Sequence, residues 1–441
     1  MKKVLLFILF LLPILFGVSA CKGDQTEEIT PKDLYYDIER MQIDMRTSVF
    51  KDLYDPKPFD QLKEEVMEGK INRLECIFRL RDILKEFKCV HLSLIPVEYN
   101  DLYGKIIPFH FYCFGKDYHV YYTLPKYQKY LGWRLVEIGG VDIEKVCKIL
   151  SETSVHPYET DMGAKYCIEA NGISYFDLET AGLVQKKNRV NLTLENHEGK
   201  RVNVLCKPFT PTSNTLWYHV VPEKWNEFLH HNDKRTPFRI ETDPDKKTVY
   251  MQYNSCMDNV DYSLKNWISD MLNELKSGKY DTVVFDLRYN PGGAVATQTD
   301  LNYLLYKNKE ELDKYNLAIV ATGRTYSCAC DFINDFIRNY PQVKLFGEET
   351  GQAVFNYTWV SSNNLLKKLN CYFTYPTILD DVPELYKRAQ EVTHTDVHCG
   401  TFPDVTAYES YEEWLHGQDG IYNTIYDYYS GLPRRPVDSS Q

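Results

Sequence analysis

The chain has 441 residues, a formal net charge of −11, twelve Cys and a 14% aromatic share. That length is enough for two or three domains with sizeable cores, well beyond a small disulfide-stapled scaffold. No clustered basic stretch of the kind nucleic acid requires is present, so the acidic balance argues against a nucleic-acid partner and otherwise bears on solubility.

Residues 1–21 read as a targeting segment. Lys2 and Lys3 precede an apolar run from Val4 to Phe16, and Val18-Ser-Ala-Cys21 follows. A basic start, a short apolar stretch and small residues before a cleavage point define a secretory signal. The Cys after Val-Ser-Ala resembles a bacterial lipobox, which implies that Cys21 is lipidated and becomes the first residue of the mature chain. An ordinary signal peptide with an incidental Cys is the alternative. The apolar run is short for a membrane span, so the expectation is a body tethered to the bacterial cell envelope by lipid only. Without Lys2 and Lys3 the mature charge is −13 (49 − 62).

Residues 22–105 begin with a polar leash and continue as helices. Leu34, Ile38 and Met41 form one stripe; Leu74, Ile77, Phe78, Arg81 and Leu84 hint at another. Residues 88–95 then alternate with period two, which predicts a strand with Cys89, His91 and Ser93 on one face and Val90, Leu92 and Leu94 on the other. Residues 106–210 are strand-rich. Residues 131–150 predict a strand, a Gly139-Gly140 turn and a helix, and residues 189–205 a hairpin about Glu198-Gly199. Residues 155–176 look like an insert in this module.

Residues 211–435 alternate strands with helices: strands at Val249, Val283, Ile319 and Val343, helices over 262–276, around 301–305 and over 328–340. That alternation predicts a βαβ layered α/β core. Two segments in it end in turns suited to catalysis. Asp286-Leu-Arg-Tyr-Asn-Pro-Gly-Gly293 places two glycines after a buried strand, where backbone must come close to a ligand. Thr325-Tyr-Ser-Cys-Ala-Cys330 places Ser327 at a strand-to-helix junction with free N–H groups and the positive end of a helix dipole. A helix N-cap is the plainer reading of that serine.

These two segments resemble the tail-specific (C-terminal-processing) protease family, related to the tricorn protease core and the interphotoreceptor retinoid-binding protein. Gly347-Glu-Glu-Thr-Gly-Gln352 is similar to the family's G-E-x-T-G turn. Gly400-Thr-Phe-Pro-Asp404 and Gly417-Gln-Asp419 are similar to its closing elements, and Cys89-Val-His-Leu-Ser93 to the D-x-H-T signature of the tricorn-like branch, with Cys89 for Asp. The resemblance runs from about residue 70 to 430. It implies a ClpP/crotonase-like core and a PDZ-like module over 106–210, although the G-L-G-F carboxylate loop is not evident there. It further implies Ser327 as nucleophile, with oxyanion donors at Cys328 and at Gly292 or Gly293.

The family's usual base, a Lys after G-E-x-T, is absent. Gln352 stands at its place and cannot take a proton at neutral pH; Lys344 precedes the turn and Lys367 lies well beyond it. The tricorn-like branch implies His91 instead, and imidazole suits general-base work near neutral pH. The orienting acid stays open among Glu384, Glu391 and Asp396, with Ser93 as a further support for the ring. Asp286, Arg288 and Glu348 are expected to fix the turns by pairing. His394, Asp396, His398 and Cys399 are residue types zinc accepts, but no second half with matching spacing exists, and the expectation is a loop. No metal and no cofactor are called for.

With eleven Cys left after Cys21, no paired framework is expected, and Cys113, Cys147 and Cys206 sit in apolar contexts as buried thiols. The leading expectation is a serine endopeptidase acting on unfolded or terminal polypeptide segments. A catalytically silent peptide- or ligand-binding lipoprotein on the same fold is the second, and carbohydrate capture by surface Tyr a third. Oligomeric state is left open.

Overall fold

The computed structural model describes residues 29–155, 157–169, 172–184, 188–222, 236–354, 356–380 and 399–431. Three units meet in it. The first holds the helices Pro31–Thr47, Lys57–Met67 and Arg73–Lys85. Thr30 and Asn72 start the first and third through reciprocal capping boxes with Asp33 and Glu75. Leu34, Ile38 and Met41 are buried, as are Ile77, Arg81 and Leu84, whereas Leu74 and Phe78 are half-buried.

This unit is not closed by its own sequence. The strand Ser93–Pro96 pairs antiparallel with Cys371–Asp380, which pairs with Asn356–Leu366. Leu366, Leu369, Cys371 and Phe373 of that hairpin share one apolar core with Ile38, Met41, Leu80 and Leu94. A piece of the expected 211–435 core is therefore folded onto the N-terminal helices. The strand expected over 88–95 is shorter than its alternation suggested. Leu92 N donates to Cys89 O at 3.0 Å, so Cys89 to Leu92 is a turn and pairing begins only at Ser93. His91 is a turn residue, not a strand residue.

The second unit is an antiparallel sheet of Phe109–Phe114, Asp117–Thr123, Arg134–Ile138, Val190–Glu195 and Arg201–Cys206 in that spatial order. Gly139 and Gly140 both take positive φ in the turn before Val141–Asp142, and Asp142 caps the helix Ile143–Thr153. Gly199 turns the hairpin with φ 77°. Tyr218–His219, expected in the core, pairs here with Asp117–Thr123.

The third unit is a six-stranded sheet in the order Val405–Thr406, Lys344–Gly347, Asn316–Ala321, Thr282–Asp286, Thr248–Tyr253, Phe238–Asp243. All neighbours are parallel except the last pair. The central strands Thr248–Tyr253 and Thr282–Asp286 are buried along their whole length because both faces are covered. The helix Leu264–Lys276 buries Trp267, Ile268 and Met271 on one face, each contributing about 1.5–3 kcal/mol. Helices Val295–Lys307 and Cys328–Asn339 pack on the same side, and Gly420–Tyr429 covers the other. The parallel βαβ order is the α/β core that the alternation predicted.

Candidate active site

Ser327 lies between the strand Asn316–Ala321 and the helix Cys328–Asn339. Its backbone has φ 53° and ψ −134°, a conformation that side chains other than Gly rarely adopt. The turn is over-determined. Tyr326 N donates to Asn290 O at 3.0 Å, Ser327 N donates to Gln352 Oε1, and Cys330 N and Asp331 N donate to Ser327 O. The serine occupies the N-cap position, yet its side chain makes no capping bond. The hydroxyl is thereby turned out of the helix and meets another partner: His91 Nε2 lies 3.3 Å from Ser327 Oγ. Two residues separated by 236 positions come within hydrogen-bond reach.

The turn bearing His91 is fixed by a carboxylate the sequence did not single out. Glu159, on the segment read as an insert, accepts from Val90 N at 2.7 Å and from Ala353 N at 2.9 Å. It is 5% exposed, and burial pushes its carboxyl up to about 7 against those two donors. Atoms of Cys89, His91 and Glu159 all lie within 4.8 Å of one another. Zinc accepts these residue types, but both Glu159 oxygens already hold backbone N–H groups, and burial keeps the Cys89 thiol far from ionising. The cluster reads as a support for the His91 turn.

The glycine turn sits on the other side of the serine. A Cβ on Gly292 would fall 2.5 Å from Ser327 Cβ, and one on Gly293 would fall 2.5 Å from Cys256 O. Both glycines have positive φ, 95° and 152°. Asn290 organises the turn: its Oδ1 accepts from Gly292 N at 2.9 Å and its Nδ2 donates to Tyr253 O at 3.1 Å. Gly292 N–H is thus taken. The N–H groups of Gly293 and Cys328 meet no main-chain or side-chain oxygen among the described residues, and both border the Cys328 thiol. Of the two glycines, Gly292 is held by Asn290 and Gly293 turns its N–H toward the Cys328 thiol.

Arg288, fully buried, bonds Asp286, Glu409, Asp419 and the Tyr250 hydroxyl, so the Asp286–Arg288 pair does hold the strand end that leads into the glycine turn. Glu348 accepts from Lys165 Nζ at 2.7 Å and from the Tyr166 hydroxyl. Despite burial, Glu348 holds that ammonium above its ordinary pKa, so Lys165 is no substitute base. Gln352 is fully buried. Lys344 lies 3.9 Å from Asp404, and Lys367 is at the tip of the hairpin on the N-terminal unit.

Ser93 does not touch the ring through its hydroxyl, which pairs with Thr374 Oγ1 at 2.6 Å; Thr374 in turn donates to His91 O at 3.4 Å. Ser93 therefore supports the turn at second hand, because the strand starts after His91 rather than before it. Glu384, Glu391, Asp396, His394, His398 and Cys21 lie outside the described residues. Cys399 is buried, and the described cysteines are free thiols, all but Cys167 buried. Among the described residues no helix is long and apolar enough to cross a membrane.

No protein-family model and no curated protein matches the chain. Among solved structures it is similar to mature CPAF, with a TM-score of 0.59 and 11% identity over 90% of this chain and 96% of that one. Mature CPAF complexed with lactacystin gives 0.58 and 10% over 90% and 97%. A photosystem II D1 C-terminal processing protease gives 0.41 and 12% over 85% and 92%. At these identities the likeness is one of fold: a mixed α/β architecture shared with mature CPAF.

Proposed function

We propose that the chain is a serine-type endopeptidase of the tail-specific kind, acting on unfolded or terminal polypeptide segments in the cell envelope. The observation that carries this is the 3.3 Å approach of His91 Nε2 to the hydroxyl of a strained, non-capping serine. A nucleophile, a base and adjacent N–H donors are the parts acyl transfer needs.

Ser327 Oγ attacks the scissile carbonyl carbon while its proton passes to His91 Nε2. The carbonyl oxygen gains negative charge beside Gly293 N–H and Cys328 N–H. The C–N bond then breaks and His91 returns the proton to the leaving amine. Water repeats the sequence on the acyl-serine, giving the acid and restoring the hydroxyl. Gln352 stands where the family carries Lys, and by accepting from Ser327 N it braces the serine turn without exchanging protons. The 106–210 module fits a PDZ-like role in presenting the polypeptide. The lipobox at Cys21 fits anchoring, which metabolic palmitate labelling of wild type and Cys21→Ser tests: label that survives the substitution rules the anchor out.

Treating the purified protein with a fluorophosphonate probe tests the activity. The expected result is labelling of wild type that Ser327→Ala abolishes, together with hydrolysis of an unfolded polypeptide. Absence of both, with tight peptide binding, would instead favour a binding lipoprotein on this fold.

A further inference from the structure

Glu159 holds the amide beside His91 directly and reaches the Ser327 turn through the amide beside Gln352. One oxygen accepts from Val90 N, the amide next to His91; the other accepts from Ala353 N, the amide next to Gln352, which itself accepts from Ser327 N. The base is carried by the N-terminal unit and the nucleophile by the core sheet, while Glu159 belongs to the segment that follows the helix Ile143–Thr153 of the β-rich module. Three chain segments distant in sequence are thus joined through one carboxylate.

We propose that Glu159 is a positioning residue that sets the His91–Ser327 distance by clamping the His91 turn to the Gln352 turn, making the 155–176 segment part of the active site rather than an insert. The inference rests on the serine-peptidase reading and deepens it.

The clamp suits its task chemically. A carboxylate accepts at both oxygens, so it satisfies two converging N–H donors, which no neutral side chain of the same length does. Gln offers one acceptor and one donor, and its donor would face a backbone N–H. The neighbouring bonds anchor the clamp itself: Thr160 Oγ1 donates to Thr350 O and Gly351 O at 3.2 and 3.1 Å and accepts from Gly163 N at 2.9 Å, pinning the residue after Glu159 to the same turn. Tyr326, immediately before the serine, packs against Gly163 and Gly351 so closely that a Cβ on either would collide with its ring or hydroxyl. Residues 160–163 therefore back the serine turn while Glu159 spans its side. His91 acts in catalysis only if its ring stays within reach of Ser327 Oγ, and a displacement of about 1 Å in such a pair lowers the rate about 10²-fold.

The test compares wild type, Ser327→Ala, Glu159→Gln and Glu159→Asp by thermal melting, probe labelling and steady-state peptide hydrolysis. Asp keeps the charge but is one methylene short of spanning both donors. Expected are a kcat about 10²-fold lower in both Glu159 variants, KM within about twofold of wild type, and melting curves that remain cooperative. Loss in Gln with full rescue in Asp would overturn the clamp in favour of a charge effect. Equal kcat in wild type and Glu159→Gln, with Ser327→Ala inactive, would overturn the inference and leave the peptidase reading standing. A wild type that neither hydrolyses nor labels would overturn both.

Discussion

Ser327 holds φ at 53° in a turn whose other members are fixed by at least four backbone bonds, and it does so directly against Gly292. The strain, of order 1–3 kcal/mol, turns the hydroxyl away from the helix it would otherwise cap. Gly292→Ala should therefore abolish probe labelling by pushing a methyl into Ser327 Cβ, with a lower but still cooperative melt; labelling at the wild-type rate would show that the turn does not abut the reactive serine. Glu159 carries a second, independent consequence. Its folded pKa of about 7 lies above the ordinary 4.5, so across that window the folded state binds more protons than the unfolded one and stability falls as pH rises. Asp177, also raised to about 7 by burial, acts with the same sign but is common to both proteins compared. The melting temperature of Glu159→Gln minus that of wild type should grow between pH 4.5 and 7; a flat difference would contradict the buried, ionising carboxyl. Ser327, His91 and the glycines were legible as residues because hydroxyl, imidazole and paired glycines announce their chemistry. Glu159 was not, since a Glu among Pro157, Tyr158 and Thr160 carries no periodic signal and its role arises from contacts about 70 and 194 positions away.

Among the elements, the strand Thr282–Asp286 and the helix Gly420–Tyr429 are locked by the Arg288 cluster, in which Asp419 both caps that helix and accepts from the guanidinium at 3.0 and 3.1 Å. Removing the guanidinium leaves buried carboxylates uncompensated. Arg288→Ala should thus destabilise the protein by about 3–5 kcal/mol, read as a lower urea midpoint; a change under 1 kcal/mol would contradict a buried, fully engaged network. The elements themselves were well signalled wherever periodicity and turn chemistry agreed. Gly139-Gly140 before Asp142, the Gly199 hairpin and the amphipathic helix Leu264–Lys276 each combine the two. Residues 88–95 misled because alternation appeared without a turn residue to date its start, and the turn at Cys89 to Leu92 is built from ordinary side chains held by Glu159. The hairpin of Asn356–Leu366 and Cys371–Asp380 read as core because sequence neighbours are usually spatial neighbours, whereas its apolar face matches the N-terminal helices.

At the scale of the molecule the site lies where the three units meet, and each supplies something the others lack: His91 from the first, Glu159 from the β-rich module, Ser327 and the glycine turn from the core sheet. Arg324, three residues before the serine, binds Glu169 through two nitrogens and Cys113 O at 2.8 Å, tying the module to the serine loop a second time. Relative movement of the units would separate base from nucleophile without unfolding either, so the proposed catalysis depends on their joint action across that junction. It is tested most directly by kcat/KM for peptide hydrolysis in Ser327→Ala, His91→Ala and the double variant. If the two side chains act as one unit, each single substitution removes turnover almost completely and the double variant is no worse than the poorer single. If His91→Ala retains wild-type turnover while Ser327→Ala is dead, the base lies elsewhere and the His91–Ser327 pairing is not the catalytic one.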